Sequence, residues 1–350
     1  SGISNVDNIT NAASPIFNVA FDEAVSGLTN TDFSNVGTAT GCIFAVGAPT
    51  GNSYPVTVSG CSEGTLILRL AGGAVTNIAA VANAQTTGPT VTIDRTGPTV
   101  TINQASGQSD PTNLSPIDFT VIFNETVVNF ATGDVVVTGT SGATTGVVTG
   151  SGTTYNVAVS DMANDGTVIV AINAGSATDT AGNSSAASTT TDNTVTYDTT
   201  VPTVTINQAG GQLDPTNASP INFTVVFSEN VTGFATGDVT LSGTAGATTA
   251  VVTGSGTNYN VAVTGMSGSG TVIADIAASV AVDAAGNDNV ASTSADHTVT
   301  YDVTRPTVTI DQAVGQPDPT NVSPIHFTVE FSKPVTGFTN TDVTLSSGTA

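Results

Sequence analysis

The stretch Asn193-Thr-Val-Thr-Tyr-Asp198-Thr-Thr-Val-Pro202-Thr-Val-Thr-Ile206 recurs, with small changes, as Pro89–Ile102 and as His297–Ile310. Pro98, Pro202 and Pro306 follow one another at intervals of 104 residues, and so do Asp94, Asp198 and Asp302. A fixed period of this size means an array of like units, since each unit must bury its own hydrophobic face. One unit ends at the Asp and the next begins before the Pro. The boundaries expected are therefore 1–94, a divergent first unit; 95–198 and 199–302, two full repeats; and 303–350, the front part of a further repeat. Each full repeat is long enough for its own core. With hinges only two or three residues long at Arg95–Gly97, Thr199–Val201 and Val303–Arg305, a rod-like array is expected.

Within a repeat almost nothing reads as helix. Thr, Val, Gly, Asn and Ser dominate, and apolar residues alternate with polar ones. In the second unit, Asp118–Asn124 places Phe119, Val121 and Phe123 on one face, and Thr99–Gln104, Asp134–Gly139, Gly146–Gly150, Tyr155–Ser160, Thr167–Asn173 and Asn193–Asp198 complete the set of strands. Clusters of Gly, Asn, Asp and Ser separate them, which is the pattern of an all-β sandwich of about seven strands. The runs Gly150–Gly152 and Gly254–Gly256 read as hairpin turns, where glycine supplies a positive φ.

The third unit repeats the second closely. Ser219-Pro-Ile-Asn-Phe-Thr-Val-Val-Phe227 matches Ser115-Pro-Ile-Asp-Phe-Thr-Val-Ile-Phe123, and Asp283-Ala-Ala-Gly-Asn287 matches Asp179-Thr-Ala-Gly-Asn183. Phe119, Phe223 and Phe327 are expected core anchors, as are Tyr155 and Tyr259. The first unit keeps Ser14-Pro-Ile-Phe-Asn-Val-Ala-Phe21, one residue shorter. It is expected to lack its first strand and the acidic loop, with Val81–Gln85 standing where that loop should be. The last piece is expected to hold about three strands and to leave an edge open to strand addition. Truncation of a longer chain and strand exchange between neighbouring copies are both open explanations for the incomplete end units, with truncation preferred.

These motifs, together with the junction Tyr-Asp-x-Thr-x-Pro-Thr-Val-Thr-Ile, resemble the bacterial immunoglobulin-like repeats of large surface adhesins and biofilm proteins. The resemblance covers the whole chain and implies tandem seven-stranded sandwiches on an extracellular stalk. It departs from antibody-type domains in having no Trp anywhere and no cysteine beyond the first unit.

The formal net charge is -23, with Arg69, Arg95, Arg305 and Lys333 as the entire basic complement. That composition rules against nucleic acid, which needs a basic surface, and disfavours an anionic membrane surface. No apolar run approaches the ~20 residues of a membrane-spanning helix, and no secretory leader is visible. The acid reads either as solubility in a salty medium or as carboxylates held together by divalent cations.

Catalytic motifs are not found. His297 and His326 have no repeated equivalents, and there is no nucleophile elbow, zinc spacing or phosphate loop. A flat Thr array for ice binding finds little support, because Thr also simply favours strands. With strands alternating in direction, the first strand of each repeat placed upward, Asp94, Asp198 and Asp302 fall at the top of one unit, while Glu125, Glu229 and the Asp-x-x-Gly-Asn loops fall at the bottom of the next. Stacking would bring Asp94 to Glu125, Asp179 and Asn183, and Asp198 to Glu229, Asp283 and Asn287. Hard oxygen ligands of this kind suit Ca²⁺. The competing reading is that Asp-x-x-Gly-Asn is a turn closed by its own backbone bonds. At the last junction Lys333 replaces the glutamate, so Asp302 is expected either in a weaker metal site or paired with the lysine.

Cys42 and Cys61 are expected to be bonded, with Met162 and Met266 taking the place of Cys61 in later units. The functional expectation is a non-catalytic structural stalk or filament whose partners are neighbouring copies or further repeats. The alternatives are a module binding a surface ligand directly and a spacer in a secreted polysaccharide-active enzyme.

Overall fold

The computed structural model describes residues 1–346; the expected stop of the last unit at Ala350 lies outside the described residues. The chain divides into two compact units, Ser1–Thr200 and Val201–Ala350.

The first unit holds two sandwiches. In the second of these, Ile117–Val128 directs Ile117, Phe119, Val121 and Phe123 inward, each 2% exposed or less. This strand lies between Val100–Gln104 and Gly146–Val159, antiparallel to both. The facing sheet is Val135–Thr138, Gly166–Ile172 and Thr194–Tyr197. Alternation in Gly166–Ile172 turns Val168, Val170 and Ile172 onto the same core. Phe123, Phe130 and Tyr155 close one end of that core, edge to face with centroids 5.0–5.9 Å apart.

The span Gly146–Val159 folds back on itself as expected. A Cβ on Gly146 would meet the Val157 side chain, and one on Gly150 would lie 2.6 Å from Thr154 O. Gly150 and Gly152 carry φ of 120° and 72°, values that favour glycine. Gly139 has a second reason to be glycine, since a Cβ there would fall 2.1 Å from the Thr167 carbonyl oxygen.

The first sandwich pairs Gly2–Ser4, Ile16–Ala20, Ser53–Ser59 and Ile43–Val46 in one sheet, with Ile9–Thr10, Thr86–Ile93, Gly64–Leu70 and Phe33–Asn35 in the other. Two expectations are corrected here. The first strand is present: Gly2–Ser4 pairs with Asn18–Ala20, and Ile3 opposite Val19 matches Ile102 opposite Val121. Three residues are too short to show an alternation in sequence, but Ile3 packs on the core. The loop is present too. It is not Val81–Gln85 but 77–81, where the Asn77 N–H donates to Val81 O just as the Asp179 N–H donates to Asn183 O. Ala80 takes the left-handed φ of 59° that Gly182 takes at 91°. The missing glycine hid the loop. Cys42 and Cys61 are bonded, S–S 2.05 Å, tying the start of Ile43–Val46 to the loop after Ser53–Ser59.

The second unit repeats the plan with Val204–Gln208, Ile221–Val231 and Thr249–Thr264 against Val239–Ser242, Gly270–Ile276 and Thr298–Tyr301. Thr248 N–H donates to Thr264 O, so Thr249–Thr264 is again a hairpin. Residues 303–346 form Val308–Gln312 paired with Phe327–Phe331 and a short 3-10 turn, Asn340–Asp342, the counterpart of Asn30–Asp32 in the first sandwich; the third strand expected after it extends outside the described residues. Phe327 and Ile310 are both 55% exposed, whereas Phe223 and Ile206 at the same repeat positions are 0% exposed. No helix among the described residues is long and apolar enough to cross a membrane.

Candidate metal centre at a repeat junction

The strand expected at Asp118–Asn124 does not stop at Asn124. It continues through Glu125, bends where its register with Gly146–Val159 slips between Ile122 and Val127, and then pairs Val127 and Val128 with Asp179 and Thr178. That continuation carries Glu125 to the Asp179 loop. Asp94, the last residue of the first sandwich, completes the group. One carboxylate oxygen from each of Asp94, Glu125 and Asp179 lies within 4.8 Å of the others.

Asp179 is buried, while Asp94 and Glu125 are half-buried. The loop is a tight turn: the Asn183 N–H donates to Asp179 Oδ1 at 2.8 Å, and the Asn183 amide donates to Asp179 Oδ2 at 2.8 Å and to the Asp94 carbonyl at 3.0 Å. Asn183 was expected as a ligand. Its amide NH2 donates to Asp179 and to the Asp94 carbonyl, orienting Asp179 and tying it to the chain of the preceding sandwich. The turn reading and the clustering of carboxylates are therefore both features of one loop. Burial holds the Glu125 carboxyl above its ordinary range, and the charges of Asp179 and Asp94 push it further the same way. Three acids without a cation repel one another at this distance.

Two other positions equivalent to Glu125, Glu23 and Lys333, show two ways of avoiding that repulsion. In the first sandwich the equivalent pair is Glu23 and Asn77, and the Asn77 amide donates to Glu23 Oε1 at 2.8 Å. This pair was missed in sequence because the loop was misplaced. In the second unit, Lys333 stands at the equivalent position, and its ammonium lies 2.7 Å from Asp302 Oδ2 and 2.6 Å from Thr304 O. Of the two expectations for Asp302, the structure shows the pairing with the lysine. The lysine hydrogen bond draws its carboxyl below the ordinary value, helped by the Thr304 N–H.

Asp283 and Asn287 in the second unit repeat the turn, with the Asn287 N–H and amide donating to Asp283 at 2.8 and 2.9 Å. Glu229 lies on Ile221–Val231, where Glu125 lies on Ile117–Val128. Asp198 lies just before the end of the first unit, its carboxylate accepting the Thr200 N–H at 3.0 Å.

Two antiparallel sheets with this strand order make each full repeat an immunoglobulin-like sandwich. Residues 198–300 match the family model described as a bacterial Ig-like domain. The repeat at 95–198 has the same motifs, strand order and core positions. No curated protein matches the chain. Among solved structures, an I-band fragment of titin, I67–I69, matches at 10% identity over 86% of this chain and 95% of that one, with a TM-score of 0.27; the fold assignment rests instead on sheet order and register.

Proposed function

We propose that the chain is a non-catalytic spacer: a run of bacterial Ig-like repeats that supplies reach and mechanical continuity outside the cell, on a stalk or filament. The observation that carries this reading is the repetition itself. Separate buried cores fall within 17–93, 100–195 and 204–299. A disulfide and a formal net charge of -23 are compatible with an extracellular setting. The experiment is removal of residues 95–198 from the gene in its host, with surface labelling of intact cells. The proposal expects undiminished surface labelling and a shorter projection. Labelling only after lysis, or the loss of a specific ligand-binding activity on removing this one repeat, would contradict it and favour the adhesive module.

We further propose that Asp94, Glu125 and Asp179 take up a divalent cation, with Ca²⁺ the best match to carboxylates on loops. Support comes from the Glu23–Asn77 and Lys333–Asp302 pairs, which satisfy the same position by an amide and by an ammonium. Of these three junction positions, this one gathers acids alone.

A further inference from the structure

The loop that follows Ser53–Ser59, and its counterparts after Gly146–Val159 and Thr249–Thr264, touch the linker at each of the three repeat boundaries. In the first sandwich Glu63 Oε1 accepts the Arg95 N–H at 2.8 Å and the Thr96 hydroxyl at 2.9 Å. At the repeat-equivalent position Asp165 accepts the Thr199 N–H at 2.8 Å, the Thr199 hydroxyl at 2.7 Å and the Thr200 hydroxyl at 2.6 Å. Ser269 Oγ accepts the Val303 N–H at 3.0 Å and shares a hydrogen bond with Thr304. Each of these loops is anchored just upstream by an apolar group on the core: disulfide-bonded Cys61, Met162 or Met266. Arg95 adds two bonds at the first boundary, to Cys61 O at 2.9 Å and Ala12 O at 3.2 Å.

We propose that this loop is a linker clamp, in which Glu63, Asp165 and Ser269 are positioning residues that order the linker against the sandwich preceding it. The strength of the clamp is graded by its side chain. Asp165 brings a charged acceptor and three bonds, Glu63 a charged acceptor and two, and Ser269 a neutral hydroxyl. Charge-assisted bonds are the stronger ones. The linker at 199–200 is accordingly the most ordered and that at 303–304 owes least to its clamp, Lys333 having taken over there. The disulfide acquires a purpose within this scheme. It holds the Cys61 carbonyl and the Glu63 loop where Arg95 reaches them, so reduction loosens the first linker only.

Native-state amide exchange on the full chain, followed by NMR with chelator present, tests this independently of any metal. Asp165→Ala should speed exchange at Thr199 by about tenfold or more while Val168 and Val170 in the core keep their rates. Ser269→Asp should slow exchange at Val303. Reduction of the disulfide should speed exchange at Arg95 and leave Thr199 alone. Unchanged Thr199 exchange in Asp165→Ala would overturn the proposal. So would a uniform rise that includes the core, because Asp165 would then stabilise the sandwich and not the linker.

Discussion

Glu125 is the residue on which the junction turns. Its carboxyl is held up by burial and by Asp179 and Asp94, so its ionised form opposes folding at neutral pH in the absence of a cation. Glu125→Gln should therefore raise the melting temperature of the chain in chelator. With Ca²⁺ in excess the order should reverse, because the native protein gains stability by mass action while the variant does not. Calorimetry of both proteins with and without Ca²⁺ reads the two signs. Equal melting temperatures of the native protein in Ca²⁺ and chelator would leave these carboxylates as turn residues. Asp165 and Asp302 behave in the opposite sense. Hydrogen bonds from Thr200 and Thr199 lower the Asp165 carboxyl, and Lys333 lowers Asp302. A depressed acid contributes fully above its unfolded pKa and loses that contribution as pH falls through its folded value. Linker amides at Thr199 and Thr304 should thus stay protected at neutral pH and open only below about pH 4. Opening between pH 5 and 7 would show that other groups hold the linkers.

At the scale of strands and loops, the disulfide is the plainest lever. Closing a loop of about 20 residues contributes about 3 kcal/mol to the first sandwich, so Cys42→Ser with Cys61→Ser should lower its stability by about that much in denaturant titration and leave the repeats at 95–198 and 199–302 unaffected. A loss below about 0.5 kcal/mol would mean that packing alone holds the loop. Much of this level was legible in the sequence. The alternation of Phe119, Val121 and Phe123 and the glycines at 150 and 152 gave the strand and the hairpin, because both signals are local. What escaped was non-local or lacked its usual residue. Gly2–Ser4 is a strand only because Ile16–Ala20 lies beside it. The loop at 77–81 was hidden because Ala80 occupies a conformation normally left to glycine. The reach of Ile117–Val128 past Asn124 depends on a register slip, and that slip is what brings Glu125 to Asp179. The group of Asp94, Glu125 and Asp179 was visible from strand direction alone. The donor role of Asn183 needed coordinates.

For the whole chain, the proposed spacer role requires repeats that fold and yield separately, each around its own core. Pulling the full chain by its ends in a single-molecule force experiment tests this most directly. The two full repeats, being alike in length and core, should each release a step of roughly 320 Å, about 3.5 Å per residue less the folded length. The first sandwich should give a shorter step that lengthens by roughly 65 Å on reduction, as the 19-residue separation of Cys42 and Cys61 is freed. Two equal steps with a redox-sensitive third is the predicted result. A single cooperative rupture, or steps unrelated to the 104-residue period, would contradict the claim that this is an array of independent load-bearing repeats.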